Sequence, residues 1–118
     1  MDYHVIVVTL GFIVCDFSTG IVKAIKEKNL NSSIMRQGLF NKLGSIIAIT
    51  VGALAEYAQN YLDLGIHVPV TTAICTYICL MELTSIIENI GKINNHILPK
   101  QLLDCFGKLK EIEERDNE

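Results

Sequence analysis

The chain alternates between long apolar runs and short charged blocks, with little of the residue-by-residue mixing that a soluble helix shows. Val5 to Val8 and Leu10 to Cys15 form nearly unbroken apolar sequence, and similar sequence returns over 43–62 and 68–90. Each run is about the 20 residues that a helix rising 1.5 Å per residue needs to cross a hydrocarbon layer of about 30 Å. The pattern predicts three transmembrane helices, over 3–22, 43–62 and 68–90, in one domain spanning residues 1–118. Between them lie a loop over 23–42 and a tail over 91–118.

Charge placement sharpens that reading more than net charge does. All 10 Lys and Arg fall in two blocks, one from Lys23 to Lys42 and one from Lys92 to Arg115. A soluble helical protein spreads such residues along each solvated face. Basic segments are retained on the cytoplasmic side, which makes the first block an internal loop, the second an internal tail, and the N-terminus external. The expected fold is therefore an all-α integral membrane protein, N-out and C-in. A soluble three-helix bundle is the competing reading. A cleaved signal peptide is disfavoured, because Met1 to Tyr3 carries no positive charge ahead of the apolar run.

Within the loop, KAIKEKNLNSS is first helix-favouring and then breaks at Asn29, Asn31, Ser32 and Ser33. Asn31 and Ser32 are candidate N-caps for a second, amphipathic stretch over 34–43, expected to lie at the inner membrane surface before entering the second span. Tyr57 and Tyr61 suit the outer interface, and Gly65 with Pro69 marks an external turn. Beyond Pro99, Leu102, Leu103, Phe106, Leu109 and Ile112 are spaced for a short amphipathic helix that would rest on the membrane or bind a partner.

Four acids interrupt the spans: Asp16, Glu56, Glu82 and Glu88. An ionised carboxylate near mid-membrane costs about 2.5–3.5 kcal/mol on insertion scales, so such groups face protein or water. Glu88 has Lys92 one turn on as a local partner. Glu82 has none, but Ser85 and Asn89 extend its polarity along one stripe. Three roles stay open for these acids: lining water in an assembled pore, forming an ion or proton path, or bonding one another inside a compact bundle. Gly44, Ala48 and Gly52 recur every four residues and would let two helices approach closely, within the chain or between copies.

Other chemistry is sparse. Cys75 and Cys79 sit inside an apolar helix, without the short knuckle of a zinc ligand pair or a histidine to complete it. No phosphate loop, nucleophile elbow or His-Glu motif occurs, so neither a cofactor nor enzyme activity is expected. No nucleic-acid partner is expected.

The stretches DFSTGIVKAIKEKNLNSSIMRQGLFNKL and ELTSIIENIGKINNHILP resemble the phage lysis and toxin-secretion holins of Gram-positive bacteria, often called holin family 4. The matching positions are Asp16, Thr19, Gly20 and Lys23 in the first stretch and Glu82, Ser85, Glu88 and Asn89 in the second. The resemblance implies a homo-oligomer in the lipid of the bacterial cytoplasmic membrane. It would open large non-selective lesions for an endolysin or a large toxin, without necessarily binding either directly. It assigns no catalytic residue. From the residues alone, a small selective channel or transporter subunit and a membrane scaffold recruiting a partner through its C-terminal helix remain alternatives.

Overall fold

The computed structural model describes residues 3–65 and 67–94, with 104, 105, 107, 108, 111, 112 and 115 beyond them. The described residues form three long helices: α1 (Tyr3–Lys26), α2 (Ser32–Ala58) and α3 (Val70–Ile93). All three are long and apolar enough to cross a membrane. They run up, down and up, which short connections between consecutive long helices dictate.

The link between α1 and α2 is only five residues long, and its geometry follows from its sequence. Lys28 adopts a left-handed conformation, φ 59°. Its amide donates to the carbonyl of Ile25 at 3.1 Å, and that of Asn29 donates to the carbonyl of Ala24 at 3.0 Å. This crossed pair closes the C-terminus of α1, with Lys28 at the position glycine usually fills. Asn31 then caps α2, its side-chain oxygen accepting from the amide of Ile34 at 2.9 Å. Residues 34–43, expected to be helical and to run into the second span, are the opening turns of α2, which continues unbroken to Ala58. No Gly or Pro pair interrupts the helix there, and nothing else in the sequence breaks it.

At the opposite end, the side chain of Gln59 accepts from the amide of Val68 at 3.1 Å and closes the turn into α3. Gly65, φ 75°, supplies the left-handed step, its amide donating to the Asp63 carboxylate at 3.1 Å. Tyr57 and Tyr61 stand exposed beside this turn with ring centroids 5.1 Å apart. The expected C-terminal amphipathic helix rests on Leu102, Leu103, Phe106 and Leu109, which lie outside the described residues.

The interior inverts the soluble pattern. Five of the twelve buried residues among those described are polar or charged: Thr9, Asp16, Thr71, Glu82 and Asn89. The outer surface meanwhile displays Val7, Val14, Ile47, Val51, Leu54 and Leu80. Water as the surrounding solvent would reward the reverse arrangement, so an apolar exterior over a polar seam fits a hydrocarbon environment. The apolar core that does exist is a single layer of Ile13, Ile49, Cys75 and Ile78, flanked by Val5, Ile6 and Ile74. It lies toward the Gln59 end of the bundle, and the polar cluster lies toward the 27–31 link.

Candidate functional site: a charged cluster inside the bundle

The cluster is built from one residue at a matching level on each helix. Asp16 lies ten residues before the end of α1 at Lys26, Lys42 ten residues after the start of α2 at Ser32, and Glu82 eleven before the end of α3 at Ile93. At 1.5 Å per residue all three sit about 15–17 Å inside the bundle from the linker end. Antiparallel packing then brings them to one depth, and helix rotation turns all three inward.

Lys42 is the centre. Its ammonium donates to Asp16 Oδ2 and to Glu82 Oε2, the latter at 2.6 Å. Side-chain exposure is 17% for Lys42 and 9% for each carboxylate, so the group is nearly enclosed. Two carboxylates thus share one ammonium in the interior. Such an arrangement is tolerable only where further donors complete the carboxylates.

Asn89 provides one of them. Its amide nitrogen donates to Asp16 Oδ1 at 3.1 Å and to Thr19 Oγ1 at 3.1 Å, with the Asp16 carbonyl at 3.4 Å. Thr19 can accept because its own hydroxyl donates backward to the carbonyls of Cys15 and Asp16, at 2.9 and 3.1 Å. Gly20 lies one step further on α1, where an added Cβ would stand 3.8 Å from the Asn89 amide. The helices therefore pass closely beside Asn89 without being forced apart.

A cavity of about 320 Å³ opens onto this cluster from the side of the 27–31 link. Asp16, Lys42, Ser85 and Asn89 form its polar floor, and Lys23 and Glu27 stand at its rim. Still nearer the link, Lys26 Nζ donates to the carbonyls of Lys92 and Ile93 at 3.0 and 2.6 Å. It satisfies the last turn of α3, whose carbonyls have no partner within the helix. Near the other end of the seam, Thr9 Oγ1 donates to the Val5 carbonyl at 2.7 Å and lies 3.2 Å from Cys79 Sγ.

Of the residues singled out from the sequence, Asp16, Thr19, Glu82 and Asn89 meet directly or through Lys42, and Ser85 lines the same cavity. Glu88 pairs instead with Lys92 at 3.4 Å, one turn along α3. Glu56 stands fourteen residues from Lys42 along α2 and does not reach the cluster. Its Oε2 is buried with no hydrogen-bond partner among the described residues.

The small-residue stripe divides. An added Cβ at Gly52 would come within 2.6 Å of Ile74 Cδ1, so Gly52 is where α2 closes on α3. Gly44 has nothing within 4 Å and Ala48 is exposed. Eight residues along a helix turn through about 80° beyond two full turns, which separates the two ends of the stripe. Gly44 and Ala48 instead line a shallow groove between α2 and α3 with Ser45, Tyr77 and Met81.

Lys42 was not among the residues singled out, because it reads as the last member of a basic block. The signal was available in the caps: once Asn31 starts the helix, Lys42 lies three turns inside it, level with two acids that need a cation.

Fold and site together define a multi-pass helical membrane protein whose polar groups are gathered inside an apolar shell. The chain belongs to the bacteriophage holin family, whose model it matches over residues 2–111. It is also similar to uncharacterized protein BH0965 of Halalkalibacterium halodurans, with 26% identity over 103 residues, covering 87% of this chain and 76% of that one. No solved structure matches the chain.

Proposed function

We propose that this protein is a holin of the bacterial cytoplasmic membrane, oriented N-out and C-in, that assembles into large non-selective lesions. These lesions release a cytoplasmic endolysin, or a large toxin, and the protein itself performs no catalysis. The observation that carries the reading is the Asp16–Lys42–Glu82 cluster inside an otherwise apolar bundle, in a chain of the holin family. In a lone bundle these charges must satisfy one another. In a ring of copies the same side chains can face a shared aqueous lumen, where their hydration returns.

Lateral association needs a face that the bundle leaves free. Gly44 and Ala48 offer one, since they allow close backbone approach in lipid. The basic residues Lys23, Lys28 and Arg36 near the 27–31 link would hold that end at an anionic leaflet.

The test is induced expression in bacteria that carry a large cytoplasmic reporter enzyme. A holin releases the enzyme into the medium after a defined lag. Ion leakage without enzyme release would identify a selective channel, and release of neither would identify a scaffold.

A further inference from the structure

Polar cross-links between helices are unevenly distributed. α1 and α3 are joined at three levels, by Thr9 with Cys79, by Asn89 with Asp16 and Thr19, and by Lys26 with the last carbonyls of α3. At the level of the charged cluster, α2 reaches both of them through Lys42. Its fully buried residues are Ile49 and Gly52, and it is joined to α1 by five residues and to α3 by eleven.

From this asymmetry we propose that Lys42 is a releasable latch: its ammonium, held by Asp16 and Glu82, keeps α2 closed over the polar seam of the α1–α3 pair, and its release uncovers that seam. The proposal rests on the reading of the protein as a holin and names the contact that holds it in the closed form.

The chemistry of the two states differs in a simple way. Closed, the two carboxylates share one cation, and Asn89 completes Asp16. Open, Lys42 leaves with α2, while Asp16, Thr19, Glu82, Ser85 and Asn89 remain as a polar stripe along α1 and α3. The open form is stable only where that stripe meets water, so it requires a lumen and therefore neighbouring copies. The cavity beside the link already borders the cluster and is large enough to hold water against it. Hydration of the latch can start there without prior separation of the helices.

With Lys42 removed, Asp16 and Glu82 face each other without a cation, and the closed form is the one that suffers. Lys42→Met should shorten the lag to reporter release about twofold or more at matched membrane levels, as expected when a minor open form is enriched. Lys42→Arg, which can serve both carboxylates, should keep a lag near that of the parent protein. Closure itself is read by a disulfide between α2 and α3, using Gly52→Cys with Ile74→Cys after the four native cysteines are replaced by alanine. That pair should oxidise readily in membranes. Adding Lys42→Met should lower its cross-linking yield about threefold or more. The oxidised pair should block release, and reductant should restore it.

An unchanged lag for Lys42→Met, or release from the oxidised pair as fast as from the reduced one, overturns the latch. If Lys42→Met fails to accumulate, the oxidised and reduced pair decides the matter. If the parent protein releases no reporter at all, the holin reading falls, and the cross-linking yield with and without Lys42 still decides the latch.

Discussion

The α1–α3 seam and the seat of α2 are built from different materials. Along α3 the buried positions Thr71, Cys75, Ile78, Glu82, Ile86 and Asn89 recur at spacings of four and three, the interlocking pattern of two long helices packed over their full length. α2 buries Ile49 and Gly52 alone, yet it carries the ammonium that both neighbours need. One contact surface is extended and redundant. The other is local, and its strength lies in electrostatics. Redundancy makes a lasting pair, whereas a contact centred on one charged group can be undone at that group.

The largest test of this contrast is Asp16→Leu. It leaves the Asn89 amide without its carboxylate and Lys42 with one partner, and removing one member of a buried charged group costs about 3–5 kcal/mol. The purified protein in detergent should lose that much on denaturation by SDS titration, while Val14→Leu on the exposed face of the same helix should be neutral. Gly52→Leu is expected to come next, at about 1–3 kcal/mol, because its side chain must displace Ile74 where the two helices touch.

Gly44→Leu should leave the isolated bundle unaffected and act only on association between copies, read by cross-linking in membranes. A loss of bundle stability there as large as for Gly52→Leu would mean that the stripe is not divided. Asn89→Ala attacks the redundant seam and should cost only about 0.5–2 kcal/mol, in keeping with single interhelical hydrogen bonds in membrane proteins. Opposite in sign, Lys28→Gly should stabilise by about 1 kcal/mol, by removing the left-handed strain of a residue with a Cβ. A destabilised Lys28→Gly protein would show that the lysine side chain itself holds the link.

Much of this was readable along the chain, because membrane helices announce themselves by length and charge placement. Asp16 and Glu82 stood out because an acid in an apolar run needs a partner, and Asn89 because it shares a stripe with Glu82. The partner itself was hidden by its neighbours in sequence. Lys23, Lys26, Lys28 and Arg36 make Lys42 look like the end of a surface block, and only the continuity of α2 from Ser32 moves it inside. The division of the glycine stripe was hidden for a related reason. Four-residue spacing drifts around a helix, and which side meets α3 depends on how α2 rolls against its neighbours, a property of the packed bundle.

The order of the three charges along the chain also carries a consequence for biogenesis. Asp16 emerges from the ribosome 26 residues before Lys42, and Glu82 follows 40 residues after it. A newly inserted first helix therefore holds an acid with no counter-ion, and the hairpin formed with the second helix is neutral at that level. The third helix then brings Glu82, the second carboxylate that shares the Lys42 ammonium.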